Sequence, residues 1–231
     1  MLTKKQVCET YDHALLRPYC KREEVDRWCA DAIKHGFASV CINPCEVAYA
    51  FKTYGDKLSV GTVVGYPQGA NTTKVKIAEA LDAIDNGASE LDLVMNISRF
   101  KEGDFDYVLD ELKEFMKAVK AKDPKVLVKV IIERFFIDDD EMPKVCDILI
   151  QAGVDFIKEA TGYAGGTGAE GAENIRLMKR LAGCQIKIKA AHALNSMDDV
   201  LLAIENGADR VGGNRLPELL EEAGDAYWLG G

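Results

Sequence analysis

Gly153-Val154-Asp155-Phe156-Ile157-Lys158-Glu159-Ala160-Thr161-Gly162-Tyr163 is the stretch on which the reading of this chain turns. A glycine able to close a helix is followed by a short apolar run that reads as a buried strand; the strand ends in a lysine and runs into a glycine-rich loop. The opening of the stretch recurs. His35-Gly36-Phe37-Ala38, Asn86-Gly87-Ala88-Ser89, Ala152-Gly153-Val154-Asp155 and Asn206-Gly207-Ala208-Asp209 each end a helical segment with glycine and lead into a strand. They fall before the second, fourth, sixth and eighth strands.

Working outward, a short amphipathic helix opens the chain, and strands are expected at 11–16, 39–43, 58–66, 90–96, 125–133, 155–161, 185–191 and 210–213. Helices are expected between them at 21–35, 44–54 with proline at the start, from a cap at Asn71 or Thr72 to Ala83 or Ile84, along the stripe from Phe105 to Val119, at 138–151, 169–181 and 196–205, and from about Pro217. Eight strand-then-helix units joined by right-handed crossovers close most simply into an α/β TIM (β/α)8 barrel with a short N-terminal helix, one domain over residues 1–231. An open doubly wound sheet is the competing architecture. Its first crossover would be expected to carry a phosphate fingerprint, and neither G-x-G-x-x-G nor G-x-x-x-x-G-K-[ST] stands there.

The chain has 231 residues, 48% hydrophobic and 29% charged, which is enough to bury a full core. A net charge of −9 argues against nucleic acid or an anionic membrane as the main partner. No apolar run approaches the ~20 residues of a membrane span, and Met1 to Gln6 lacks the apolar core of a signal peptide, so a cytoplasmic protein is expected. The seven cysteines are scattered with no C-x-x-C pair, as befits reduced thiols. A homodimer or higher homo-oligomer is left open.

In a barrel, chemistry sits at the carboxyl ends of the strands. The polar residues expected there are Asp12, Cys41, Asn43, Asp92, Asn96, Lys129, Glu133, Lys158, Thr161, Lys189 and His192. Strand alternation pairs Lys187 with Lys189 on one face, and Lys129 with Glu133 on one face. A half-buried lysine loses its proton more easily, and a second ammonium nearby can draw its pKa from ~10.4 toward roughly 7–8, making it an amine nucleophile for a carbonyl. The alternative is that these groups neutralise one another as buried ion pairs. No metal is expected: only His13, His35 and His192 are available, with no H-E-x-x-H, and Asp138-Asp139-Asp140-Glu141 reads as acid at a helix start. The loop Gly162 to Gly168 either binds an anion through its N–H groups or is a plain connection.

Asp12-His13-Ala14-Leu15-Leu16, Val40-Cys41-Ile42-Asn43-Pro44, Val63-Val64-Gly65-Tyr66-Pro67-Gln68-Gly69, Glu90-Leu91-Asp92-Leu93-Val94-Met95-Asn96, Lys129-Val130-Ile131-Ile132-Glu133, Phe156-Ile157-Lys158 with Thr161-Gly162, and Lys187-Ile188-Lys189-Ala190-Ala191 together resemble the deoxyribose-phosphate aldolase family, in order along the chain. The resemblance implies a cofactor-free class I aldolase on a TIM barrel acting on a small aldehyde or sugar-phosphate substrate. Lys158 then corresponds to the Schiff-base lysine, Lys189 to the lysine that depresses its pKa, and Asp92 to the proton-relay carboxylate. Substrate contacts are expected from Asp12, Cys41, Lys129, Thr161, Gly162, His192, Gly212, Gly213 and Arg215. The chain departs from the family pattern at Ala14, at Glu159-Ala160, at His192-Ala193 and at Gly212-Gly213-Asn214-Arg215. These departures fall where phosphate and hydroxyls would bind, so an altered acceptor, with Arg134, His192 and Arg215 as new contacts, is an alternative. A sugar-phosphate-binding barrel without turnover is another.

Overall fold

A computed structural model describes residues 2–163, 168–224 and 226–229. Its strands are β1 Tyr11–Leu15, β2 Ser39–Ile42, β3 Val60–Val64, β4 Glu90–Val94, β5 Leu127–Ile131, β6 Phe156–Lys158, β7 Lys187–Ala190 and β8 Arg210–Gly213. Its helices are α1 Lys4–Glu9, α2 Arg22–His35, α3 Val47–Tyr54, α4 Thr73–Asp85, α5 Ile97–Lys101, α6 Phe105–Lys122, α7 Met142–Ala152, α8 Gly168–Ala182, α9 Met197–Glu205, α10 Leu216–Ala223 and α11 Ala226–Leu229. The eight strands pair in parallel in sequence order, and β8 closes on β1 through Tyr11↔Val211, Asp12↔Gly212 and His13↔Gly213.

The glycine echo does what its chemistry predicts. Gly36 and Gly153 end α2 and α7 in the left-handed conformation at φ 72° and 69°, which a side chain would resist. After α4 and α9 the cap is asparagine, and Gly87 and Gly207 follow it at φ 100° and 107°. A Cβ on Gly87 would stand 2.2 Å from the Phe51 ring, so the turn also needs the missing side chain for packing.

Strands β3 and β4 are buried on both faces, as a parallel sheet wrapped by helices requires. The stripe of α6 buries Val108, Leu112, Phe115, Met116 and Val119 against the barrel. Between α4 and α6 lies a fully buried ion pair. Lys76 Nζ stands 2.6 Å from Glu111 Oε1 and donates to the Val94 carbonyl at 3.0 Å. Among the described residues no helix is long and apolar enough to cross a membrane.

The elements differ from expectation mainly at their ends. Pro44–Glu46 forms a 3₁₀ turn before α3, and α7 starts only at Met142, with Pro143 in its first turn; Asp138 and Glu141 precede it and pair with Lys101. Helix α5, capped by Asn96 accepting from the Arg99 N–H, lies in a connection that had no periodic signal. Glu133 lies beyond β5 at φ 46°, so it does not continue the inward face of Lys129. Lys187 faces inward but at the opposite mouth, exposed, its ammonium 5.5 Å from the Phe156 ring centre; Lys129 covers the same ring at 5.9 Å. Phe156 thus floors the barrel and separates Lys187 from the other lysines. In the C-terminal segment, α11 packs on α9 through Tyr227 Oη, 2.7 Å from Asp198 Oδ1.

Candidate active site

Residues 90 and 92 alternate with apolar neighbours on β4, which puts both carboxylates inside the barrel. Register brings Lys129 beside Asp92, Lys158 beside Lys189, and Asp12 beside Gly212. Lys158 Nζ and Lys189 Nζ converge on one oxygen, Asp92 Oδ2, at 2.7 and 2.8 Å. Lys189 also reaches Asp12 Oδ2 at 2.7 Å. Lys129 lies 3.0 Å from Asp12 and 3.4 Å from Asp92 and pairs with Glu90. Arg210 closes the cluster through Asp12 and through Glu90 at 3.1 Å.

Four potential cations (Lys129, Lys158, Lys189, Arg210) therefore meet three carboxylates (Asp12, Glu90, Asp92), and releasing one proton balances the charge. The environments select which one. Burial depresses the Lys158 amine, and the Lys189 ammonium adds to the depression against the pull of Asp92. Burial acts the same way on Lys129 and Lys189, but there the carboxylates outweigh it: Asp12, Asp92 and Glu90 hold Lys129 well above the usual amine range, and Asp12 and Asp92 raise Lys189. Asp92 is buried too, yet Lys158, Lys189 and Lys129 hold its carboxyl well below the usual range.

Above this cluster opens a cavity of about 420 Å³. Lys158 and Lys189 reach its wall, with Thr161, Gly162, Gly212 and Gly213; the β7 loop contributes His192 to Asn195, the β8 loop Asn214 and Arg215, and the β1 end Ala14, Leu16 and Arg17. Thr161 is fixed by Glu133, which accepts from its N–H at 3.0 Å and from its hydroxyl, and by Tyr66, whose hydroxyl donates to its carbonyl at 2.8 Å. His192 is buried, its ring edge-on to Phe135 at 4.4 Å.

Of the residues expected at the site, Lys158, Lys189, Thr161, Gly162, His192, Gly212, Gly213 and Arg215 line the cavity. Asp12, Asp92, Cys41 and Lys129 lie one layer beneath, where they act on the lysines. Cys41 Sγ stands 3.9 Å from Asp92 Oδ2, and burial, with Asp92 beside it, pushes the thiol up to about 12. Asn43 braces the Arg17 carbonyl at 3.0 Å. Arg134 lies outside the cavity: its guanidinium turns to the Ile137 carbonyl and Asp139, in a separate cleft beside Glu173 and Arg176. Residues 164–167 of the glycine loop lie outside the described residues. Glu90, Arg210 and Arg17 escaped the sequence; only Glu90 had a signal, its spacing of two from Asp92.

No group of His, Cys, Asp and Glu among the described residues is arranged to hold a metal ion. A closed barrel whose carboxyl-end cavity is floored by lysines on a buried carboxylate defines a lysine-centred barrel enzyme. The DeoC/LacD family aldolase model matches residues 7–212. The chain is 41% identical to the deoxyribose-phosphate aldolase of Caldanaerobacter subterraneus over 96% of its own length and 97% of that protein's, and 40% identical to that of Clostridium perfringens over 91% and 92%. Solved structures with the same barrel include an aldolase designated QR15 (TM-score 0.82, 37% identity, covering 90% of this chain and 91% of that one). Another is the tetrameric deoxyribose phosphate aldolase of Aeropyrum pernix (TM-score 0.86, 26% identity, 95% and 92%). The chain belongs to the DeoC/LacD family of aldolases, and it is a lyase.

Proposed function

We propose that the protein cleaves 2-deoxyribose 5-phosphate reversibly to acetaldehyde and glyceraldehyde 3-phosphate, through a Schiff base on Lys158. The observation that carries this is the convergence of Lys158 and Lys189 on Asp92 Oδ2 at the cavity wall, with Lys158 the one lysine of the cluster whose amine is depressed. The neutral amine adds to the sugar's C1 aldehyde, and loss of water leaves an iminium. Removal of the C3 hydroxyl proton then breaks the C2–C3 bond; the electron pair moves to the iminium nitrogen, giving an enamine and releasing glyceraldehyde 3-phosphate. Protonation of the enamine at C2 and hydrolysis release acetaldehyde and restore the amine. Asp92, ionised and bridged to both lysines, is the group placed to relay these protons, and Lys189 keeps the Lys158 amine depressed.

The charge of the cavity supports an anionic substrate. Among the described residues its lining includes Lys158, Lys189, Arg17 and Arg215 and no carboxylate, in a protein of net charge −9. All seven cysteines are free thiols, which supports a cytoplasmic setting, and the tetrameric Aeropyrum pernix relative supports a homo-oligomer. Such a cleavage would serve carbohydrate catabolism. Coupled detection of the released triose phosphate tests the function: the wild type is expected to turn over deoxyribose 5-phosphate and Lys158→Ala to have no activity. Equal turnover by the two would overturn it.

A further inference from the structure

The cavity presents two guanidinium groups, and they are not equivalent. Arg215 is already engaged: Nη1 donates to the Asn195 carbonyl at 3.1 Å, Nη2 lies 3.5 Å from Glu222, and its side chain is 45% exposed. It straps the β7 loop to α10. The backbone N–H groups of Arg215 and Leu216 both donate to Tyr11 Oη at 3.3 Å, so these first amides of α10 are taken as well. A Cβ on Gly213 would stand 2.8 Å from the same hydroxyl, which seats Tyr11 against the end of β8. Arg215 and these two amides are thus already committed to partners within the protein.

Arg17 is built to receive an anion. Its guanidinium carbon lies 5.4 Å from the Tyr19 ring centre and 5.7 Å from that of Trp28, and Nη2 is paired with Glu24, whose other oxygen accepts from the Lys21 N–H at 3.0 Å. Its carbonyl is braced by Asn43. Nε has no hydrogen-bond partner among the described residues although it is buried, and the side chain lines the cavity wall. A planar cation on the cavity wall, held by two rings and one carboxylate and keeping an unpaired N–H, is preorganised for an oxyanion.

We propose that Arg17 reads the anionic group of the acceptor half of the substrate and so sets the preference for phosphorylated over unphosphorylated aldehydes. This rests on the aldolase function proposed above. Arg17→Met keeps most of the stem and removes the charge; Arg17→Lys keeps the charge and loses the fork. For Arg17→Met, the ratio of kcat/KM for deoxyribose 5-phosphate to that for 2-deoxyribose should fall by about 10- to 100-fold, the range of one charge-assisted hydrogen bond, and mostly through KM. Arg17→Lys should lie between Met and wild type. A fall by the same factor on both sugars, or an unchanged ratio, would overturn the proposal. Inorganic phosphate gives a readout that needs no turnover: it should raise the melting temperature of the wild type and raise that of Arg17→Met distinctly less. Equal shifts, or no shift in the wild type, would overturn the assignment. A wild type that cleaves neither sugar yet loses its phosphate shift in Arg17→Met would instead overturn the aldolase function and uphold the anion site.

Discussion

Replacing Lys189 by methionine should move the pH profile of the enzyme rather than simply lower its rate. Both ammonium nitrogens touch Asp92 Oδ2, so Lys158 and Lys189 stand at most about 5.5 Å apart, the 2.7 and 2.8 Å contacts laid end to end. At an effective dielectric constant of about 20, two unit charges at that separation repel by about 3 kcal/mol, or roughly two pK units. Methionine removes that repulsion and leaves Asp92 less neutralised. Both changes favour the protonated form of Lys158. The nucleophile is the neutral amine, so a higher pKa means less of it at neutral pH. At pH 7, kcat/KM should fall by up to about 100-fold, and the acid limb of the profile should move up by about two units, with much of the rate recovered in alkali. The assay is cleavage of deoxyribose 5-phosphate measured across pH, with circular dichroism confirming the fold. A loss of the same size at every pH, with the acid limb unmoved, would refute the electrostatic role of Lys189.

Burial raises Glu159 to about 7, with Asn174 and the Ala191 N–H as its partners. The folded state therefore holds a proton that the unfolded chain has lost, so stability should decline as pH rises from about 4.5 to 7, by up to about 3 kcal/mol, and then level off. Glu159→Gln should flatten this decline in melts recorded against pH; an unchanged slope would contradict it. For the Lys76–Glu111 pair, Lys76→Met alone should destabilise by about 3–5 kcal/mol in denaturant unfolding, and Lys76→Met with Glu111→Leu by much less, because the single change strands a buried carboxylate. Equal losses in the two would contradict that account. Gly212→Ala places a Cβ 2.7 Å from Lys189 Cε, so it should lower kcat by about 10-fold or more while shifting the melting temperature little. Unimpaired turnover would mean that Lys189 has room to move.

The barrel was legible because its grammar repeats. Four glycine turns and eight apolar runs fixed the number and order of units, and the motifs at the strand ends carried the family. Strand alternation succeeded where the strand continues, as for Asp92 and Lys189, and misled where it stops. Glu133 is turned away by a left-handed backbone to hold Thr161, and Lys187 lies at the far mouth beyond Phe156. Alternation gives the face of a residue but not its height along the barrel axis. Arg210 and Arg17 were illegible for a different reason. The first opens a short strand and acts across the barrel on residues 198 and 120 positions away. The second sits in an aperiodic loop, and its role depends on which of its nitrogens are already occupied. Arg134 illustrates the converse: a cation next to a strand end in sequence that turns to its own loop.

The central claim is that Lys158 alone among the clustered lysines is poised as an amine. Borohydride reduction in the presence of acetaldehyde, followed by peptide mass mapping, tests it most directly. A stable two-carbon adduct on Lys158, with Lys129 and Lys189 unmodified, is the predicted result. An adduct on Lys189, labelling spread over exposed lysines, or no adduct in the buried cluster would contradict it.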